Sequence, residues 1–444
     1  MQRRILVLGA GRSSAALINY LANVCLRQNW DLTVGDFSEQ AARKITASFS
    51  NVNAIAFDIG QETVAAKQIS EHDLVVSLLP AHLHTKAAEY CLKFKKHLVT
   101  ASYVSEEMRA LHAAAETAGI LFLNECGLDP GIDHMSAMQV IDQIRNSGGK
   151  ITEFRSFTGG LIAPETDPEN PWRYKFTWNS RNVVMAGQSV ATFLEAGIMR
   201  RIPYQKLFQR IFPVQVEGAG SFDGYANRDS LKYLETYGLN NISTMIRGTL
   251  RHRGFCQAWN VLVQLGCCDD SLVMDNLDKM SHVEFIETFL PAGPGTIAQR
   301  IANYNRLDEH GQEVRLLNWS GLFSDELIGL ASGTPAQVLE HILNKKWKLQ
   351  SGDKDQIVMW HQFIFEKNGE KHEIQSSLIS TGADDVYTAM SQTVGLPLGI
   401  AAKLILENKI SATGVHIPVT PEFYEPILAE LSKSGISVVE KIIR

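Results

Sequence analysis

The chain has 444 residues, of which 45% are hydrophobic and 20% charged, an ordinary composition for a globular protein of two or three domains. The net charge of -6 argues against a general nucleic-acid surface, and no apolar run is long enough to cross a membrane. The six cysteines include no Cys-x-x-Cys pair, so neither a zinc site nor a disulfide framework is expected. A cytoplasmic protein with reduced thiols is the default expectation.

The chain begins with a strand, a glycine-rich turn and a helix. Arg4 to Leu8 is an apolar run typical of a buried strand, and Ala15 to Leu26 carries the apolar stripe of a helix. Between them lies the turn Gly9-Ala10-Gly11-Arg12-Ser13. Gly9 permits the turn, and Gly11 lets the backbone approach a pyrophosphate at the helix N-terminus. A lone Gly-x-Gly is weak evidence, so the elements that follow must decide.

A second strand, Asp31 to Gly35, ends at Asp36, which lies about 20 residues after the turn. At this spacing a carboxylate binds a ribose 2′-hydroxyl and repels a 2′-phosphate. The next residue is Phe37 rather than an arginine, so NAD is favoured over NADP. The alternative is that Asp36 serves as a helix-capping or turn residue.

Four further strands complete a Rossmann-type doubly wound parallel sheet of α/β class. They are expected at Asn53–Phe57, Asp73–Leu79, His97–Thr100 and Ile120–Leu123. Asp58 follows the third strand as a candidate adenine contact, or simply as a turn residue. His82 and His84 are interpreted as polar residues that open a helix rather than as metal ligands, and no metal site is expected.

A tight turn follows the sixth strand, in the run from Asn124 to His134. Pro130 and Gly131 force the turn, and Asp133 is expected to cap the next helix. Ligands of open α/β sheets bind outside the carboxyl ends of the strands. This turn, with Asp129, is therefore expected at the active-site crevice.

The remainder of the chain predicts a second α+β domain built on a largely antiparallel sheet. Ile151 to Thr158 alternates apolar and polar residues, and Asn368-Gly369 between two strand patterns is a strong hairpin signal. Near the C-terminus, helices are expected at Asp384–Val394 and Leu398–Leu406, separated by Gly395-Leu396-Pro397.

The second domain also contains basic residues near polar loops. Arginine binds carboxylates through paired hydrogen bonds, so a cluster predicts a substrate with several carboxylates. Each of these residues taken alone fits a solvated surface position better than a binding site, because charged residues are mostly exposed. These residues are Lys175, Arg181, Arg228, Arg251 and Arg253.

The run Leu128-Asp129-Pro130-Gly131-Ile132-Asp133-His134 is highly specific, and further specific runs extend over nearly the whole chain. In these runs the chain resembles the saccharopine reductases, the glutamate-forming saccharopine dehydrogenases of lysine metabolism. Other matching runs are Ser77-Leu78-Leu79-Pro80, His97 to Ser105, Gly159 to Glu165, Tyr174 to Arg181, Asn227 to Ser230, Thr249-Leu250-Arg251 and Thr393 to Pro397.

The resemblance implies oxidation of the carbon–nitrogen bond of saccharopine by NAD(P), after which water releases glutamate and aminoadipate semialdehyde. Saccharopine carries three carboxylates, which fits the arginines. The cofactor contacts implied are Ala10 to Ser13, Asp36, Asp58, Ser77, Leu78, Leu128, Asp129, and the run from Thr177 through Ser180 to Arg181. The substrate contacts implied are Ser102, Tyr103, Arg228, Thr249, Leu250 and Arg251.

Asp129 is the acid–base candidate and Tyr103 the candidate for orienting substrate or relaying a proton. Their alternative roles are to brace the turn and to fill the core. The family often has a cysteine at the position of Thr158, whose hydroxyl does not titrate near neutrality. The family's NADP-using members carry an arginine after the second strand, where Asp36-Phe37 stands here.

The resulting prediction is a dinucleotide-binding domain over residues 1–127, a substrate and dimerisation domain over 128–390, and C-terminal helices over 391–444 that return to the first domain. A homodimer formed by the second domain's sheet is expected. Two alternatives are an imine reductase for another polycarboxylate amine, such as carboxynorspermidine, and a non-catalytic NAD-binding protein.

Overall fold

A computed structural model describes residues 2–185, 188 and 190–443. The chain forms two compact units, one of residues 1–149 with 380–439, the other of residues 150–379 with 440–444. Both divisions differ from the expected boundaries after residues 127 and 390. The first unit keeps the helix that follows the Pro130-Gly131 turn, and the second ends within a long strand.

The first 149 residues alternate strands and helices. In chain order they are β1 (Arg4–Leu8), α1 (Ala15–Gln28), β2 (Asp31–Asp36), α2 (Glu39–Thr46), β3 (Val52–Ala56), α3 (Glu62–Glu71), β4 (Leu74–Ser77), α4 (His84–Phe94), β5 (His97–Thr100), α5 (Glu106–Ala110), α6 (His112–Ala118), β6 (Leu121–Leu123) and α7 (Ile132–Asn146).

The middle of the chain is richer in strands, in the order β7 (Lys150–Ile162), α8 (Ser180–Val184), β8 (Ala191–Glu195), β9 (Ile198–Ile202), β10 (Phe212–Val216), β11 (Gly220–Ala226), α9 (Tyr233–Thr236), β12 (Thr244–His252), α10 (Phe255–Leu265), β13 (Met274–Asp275), α11 (His282–Glu287), α12 (Ile297–Asn305), α13 (Gln312–Trp319), β14 (Ser332–Gly333), α14 (Pro335–Trp347), β15 (Asp355–Lys367) and β16 (Glu370–Thr381). The last elements are α15 (Ala389–Leu406), β17 (Gly414–His416), α16 (Pro421–Lys433) and β18 (Val439–Ile442).

The first unit contains a seven-stranded sheet in the order β17-β6-β5-β4-β1-β2-β3, with every pair parallel. The apolar run of β1 is fully buried, as expected for a strand covered on both faces. The strand order reverses between β1 and β4, the point where doubly wound sheets bind ligands. The predicted α/β fold is confirmed, and the C-terminal strand β17, which was not expected in this sheet, extends it beside β6.

The second unit contains a nine-stranded mixed sheet whose main path is β10-β11-β12-β7-β15-β16-β18, with β8 and β9 attached to β12. Most neighbours are antiparallel, whereas β7 and β12 run parallel. Asn368 and Gly369 both have positive φ, 53° and 82°, which matches the predicted hairpin between β15 and β16. The expected α+β second domain is therefore confirmed.

The expectation of two helices separated by Gly395-Leu396-Pro397 is wrong, because α15 is one continuous helix. Its glycines lie against α1, where a Cβ on Gly395 would stand 2.9 Å from the Leu17 nitrogen. The helix is long and apolar enough to cross a membrane by length and composition, but 83% of it is buried within the protein. This burial compensates the hydrogen bond lost at Pro397.

Candidate functional site

The glycine-rich turn and Asp36 meet at the carboxyl end of the first sheet. Gly9 has a φ of 107° and donates its N–H to the Gly35 carbonyl at 2.8 Å. The Ala10 N–H donates to Asp36 Oδ2 at 2.8 Å, and the Ser38 N–H donates to Oδ1 at 2.9 Å. Asp36 thus holds the turn and the start of α2, and its contact with a bound ribose remains a prediction.

The start of the first helix fits a pyrophosphate. The short 3₁₀ turn Arg12–Ser14 follows Gly11 directly and leads into α1, in which the Ala16 N–H donates to Ser391 Oγ at 2.9 Å. A Cβ on Gly9 would stand 3.0 Å from the Leu78 carbonyl oxygen, and a Cβ on Gly11 would meet nothing within 4 Å. The backbone N–H groups of a glycine-rich turn before a helix donate hydrogen bonds to phosphate oxygens, so Gly9 to Ser13 can hold a dinucleotide.

The Asp58 side chain bonds to the backbone of its own loop. Its Oδ1 accepts the N–H of Gly60 at 2.7 Å, and its carbonyl accepts the N–H of Gln61. The carboxylate therefore stabilises the turn after β3, as the alternative interpretation supposed. An additional contact with adenine remains a prediction.

A buried histidine joins the ends of β4 and β5. His84 Nδ1 lies 2.9 Å from Ser77 Oγ, and His84 Nε2 lies 2.7 Å from Ser102 Oγ. Burial of the ring, with a smaller contribution from neighbouring His82, lowers the pKa of His84 to about 4. The imidazole is therefore neutral near pH 7 and links a predicted cofactor contact to a predicted substrate contact.

The two candidate catalytic residues lie together in the first unit. The Tyr103 hydroxyl donates to Asp129 Oδ1 at 3.3 Å, and both side chains are half-buried. Gly131 has a φ of 148°, and a Cβ there would fall 2.0 Å from the Gly127 carbonyl oxygen. Only glycine fits this turn, which presents Asp129 at the carboxyl end of the sheet.

Two other residues of this turn are buried. Leu128 is a core side chain whose carbonyl accepts the Asp133 N–H, so its predicted cofactor contact would involve little of its side chain. Asp133 does not cap α7 as expected. Gly131 occupies the cap position, and Asp133 Oδ1 instead accepts the Gly131 N–H at 2.7 Å from within the first helical turn.

In the second unit Arg251 is a buried cation. Its side chain is 4% exposed and lies over the rings of Tyr174 and Phe255, at 4.8 and 5.3 Å from their centroids. Nη1 donates to the Leu250 carbonyl at 3.0 Å. Within the described residues, Nε has no hydrogen-bond partner and no carboxylate forms an ion pair with this guanidinium.

Buried hydroxyl groups accompany Arg251. Thr158 Oγ1 and the Tyr174 hydroxyl find no hydrogen-bond partner in the part of the chain that the structure describes. Burial raises the pKa of Tyr174 to about 12, so its hydroxyl keeps its proton. Thr249 pairs with Thr158 across β12 and β7, whereas the Leu250 side chain is buried in the core. Together with the Arg251 guanidinium, such neutral hydroxyl groups can donate hydrogen bonds to a bound carboxylate.

The other predicted basic residues are arranged differently. Lys175 is buried between Asp353 and Asp167, at 2.7 and 3.0 Å, so its charge is already neutralised and it does not join a substrate-binding cluster. Arg181 forms an ion pair with Asp270.

Ser180 and Arg228 are also placed by the structure. Ser180 donates to Glu340 within the second unit, and Arg228 is exposed with a φ of 53°. The cofactor roles of Ser180 and Arg181 and the substrate role of Arg228 remain predictions.

Comparison with known families agrees with this arrangement. Residues 5–123 match the family model of the saccharopine dehydrogenase NADP binding domain, and residues 127–436 match that of the saccharopine dehydrogenase C-terminal domain. The chain belongs to the saccharopine dehydrogenase family. The resemblance inferred from the sequence runs is confirmed.

Individual members of the family match over the full length. The chain is 33% identical to a saccharopine dehydrogenase (NADP(+), L-glutamate-forming) of Pyricularia oryzae, over 99% of both chains. It is 32% identical to a mitochondrial alpha-aminoadipic semialdehyde synthase of Bos taurus, over 98% of this chain and 47% of that protein. The apo saccharopine dehydrogenase (L-Glu forming) of Saccharomyces cerevisiae superposes with a TM-score of 0.90 at 30% identity, with both chains fully covered.

In this saccharopine dehydrogenase family member, sequence reasoning missed three residues that contact the predicted site residues. His84 bridges two serines, Tyr174 covers Arg251, and Glu125 bonds to the backbone beside Tyr103. The signal for Glu125 was a charged residue directly after a buried strand at the predicted crevice. His84 and Tyr174 carry no local signal that separates them from ordinary core residues.

Proposed function

We propose that this protein is an L-glutamate-forming saccharopine dehydrogenase. It oxidises the carbon–nitrogen bond of saccharopine with a nicotinamide dinucleotide, and water then releases L-glutamate and 2-aminoadipate 6-semialdehyde. The full-length similarity to enzymes of that name supports this reaction. The dinucleotide, when bound, supplies the hydride acceptor.

The environment of Arg251 supports a substrate that carries carboxylates. Arginine stays charged in proteins, and burial of a charge without a counter-ion costs on the order of several kcal/mol. Two aromatic faces offset part of this cost, at about 2 kcal/mol for a desolvated cation–π contact. The remainder is offset when a substrate carboxylate binds to the guanidinium.

Acid–base chemistry is assigned to Asp129 and Tyr103. Their 3.3 Å contact lets a proton move between the phenol and the carboxylate. Thr158 occupies the position where the family often has a cysteine, and a threonine hydroxyl does not ionise near neutrality, so it cannot serve as the base. Asp129 therefore takes the proton from the substrate nitrogen, and Tyr103 orients that carboxylate.

We further propose that NAD is preferred over NADP. The Asp36 carboxylate is anchored by Ala10 at the ribose end of the turn, and Phe37, which follows it, is 83% exposed and carries no charge. A 2′-phosphate would be repelled by this carboxylate, and the uncharged Phe37 stands where the family's NADP-using members carry an arginine. The names of the relatives and of the family model specify NADP, so the two cofactors must be compared directly.

The test measures saccharopine oxidation by the wild type and by Asp129→Asn, with NAD and with NADP in separate assays. The wild type should produce glutamate, with higher kcat/KM for NAD, and Asp129→Asn should lower kcat by about 10²–10⁴-fold. Carboxynorspermidine serves as the comparison substrate. Turnover of that amine without turnover of saccharopine, or cofactor binding without turnover of either, would refute the proposal.

We further propose that the protein forms a homodimer through the second unit's sheet and is located in the cytoplasm. Sedimentation of the purified protein tests the homodimer, and fractionation of cells tests the location. A monomer that retains full activity at low concentration would contradict the homodimer.

A further inference from the structure

Glu125 binds the backbone on both sides of Tyr103. It follows β6, and its side chain is 2% exposed. Its backbone N–H donates to the Ser102 carbonyl at 3.1 Å, while its Oε1 accepts the Val104 N–H at 3.0 Å. One residue therefore fixes the peptide groups that precede and follow Tyr103.

The second oxygen of the same carboxylate reaches the helix that follows the Asp129 turn. Glu125 Oε2 lies 2.8 Å from Nε2 of His134, which is fully buried in α7. That helix begins at Ile132, whose N–H donates to the Gly127 carbonyl at 2.8 Å. Glu125 thus connects the loop that carries Tyr103 with the turn that carries Asp129.

The backbone of Glu125 is unusual for its residue type. Its φ is 54°, in the left-handed region that favours glycine or asparagine, and its carboxyl group is buried. Both features are unfavourable, and strained positions of this kind are concentrated at functional sites. The bonds to Val104 and His134 require this carboxylate, whereas the sheet itself does not.

We infer that Glu125 is a positioning residue that holds the Tyr103 hydroxyl against the Asp129 carboxylate. The inference rests on the proposed function, because it concerns the geometry of that acid–base pair. Glu125 does not touch the reacting atoms. Its effect on turnover is therefore transmitted through Tyr103.

A double-mutant cycle tests this dependence with kcat and KM for saccharopine and NAD. Glu125→Gln should lower kcat about three- to tenfold, because a neutral amide holds Val104 and His134 less firmly, and Glu125→Ala about 10–100-fold. The KM for NAD should stay within about twofold. In a Tyr103→Phe background, each Glu125 variant should lower kcat by less than about twofold further.

Tyr20→Phe is the matched control, because Tyr20 donates to Glu430 elsewhere in the same unit. It should lower thermal stability and leave kcat unchanged. The inference would be overturned if the losses of kcat multiply in the double variant, or if Tyr103→Phe alone leaves kcat unchanged. If Glu125→Ala does not fold, the Glu125→Gln cycle decides alone, and an unchanged kcat there overturns it. Absence of wild-type turnover would refute the proposed function and this inference with it.

Discussion

Replacement of His84 by glutamine should remove part of the pH dependence of stability in the first unit. The imidazole bonds to Ser77 and Ser102 in its neutral form, and burial lowers its pKa from 6.5 to about 4. Between these values the unfolded chain binds a proton that the folded chain does not. The stabilisation is therefore complete above the unfolded pKa and is lost as the pH falls toward the folded pKa.

The linkage relation gives the magnitude. For the pKa values of 6.5 and about 4, the contribution lost on going from about pH 7.5 to about pH 5 is about 2 kcal/mol. His84→Gln keeps one donor and one acceptor for the two serines but cannot titrate. Its free energy of unfolding should therefore fall by about 2 kcal/mol less than that of the wild type over this range.

The assay is urea unfolding followed by circular dichroism at several pH values, with a histidine NMR titration as the direct measurement. The matched control is His82→Gln, an exposed position two residues earlier, which should keep nearly the wild-type pH dependence. Equal pH dependence in the wild type and His84→Gln, or an imidazole that titrates near its ordinary value, would refute the reasoning.

Three further substitutions test other parts of the site. Arg251→Met should raise the KM for saccharopine by about 10–100-fold, the cost of a lost charge-assisted hydrogen bond, and an unchanged KM would contradict a carboxylate at this position. Asp36→Asn keeps an acceptor for Ala10 but removes the charge, so kcat/KM for NADP should rise about tenfold relative to NAD, as steady-state assays with both cofactors would show. Gly131→Ala should destabilise the first unit by more than about 3 kcal/mol, because its Cβ would overlap the Gly127 carbonyl, and a wild-type melting temperature would exclude the described turn.

Local patterns were sufficient for six of the seven strands of the first sheet and for its cofactor end, but not for β17. The apolar runs, the Gly9 turn and the spacing of Asp36 are short-range features that follow from strand and helix periodicity and from turn chemistry. The same holds for the Asn368-Gly369 hairpin. The continuous α15 could not be recognised locally, because its burial against distant parts of the chain, such as α1, compensates Pro397 within the helix.

The sequence by itself thus determined the fold class, the family and a set of candidate residues, whereas tertiary structure decided which of them are available to a ligand. Lys175, Arg181 and Arg251 look equivalent along the chain. The first two are neutralised by Asp353 and Asp270, which lie 178 and 89 residues away in sequence. Arg251 lies over two aromatic rings and donates to a carbonyl, and no carboxylate of the described residues forms an ion pair with it. Charge pairing depends on distances across the folded chain, and local residue patterns do not encode those distances.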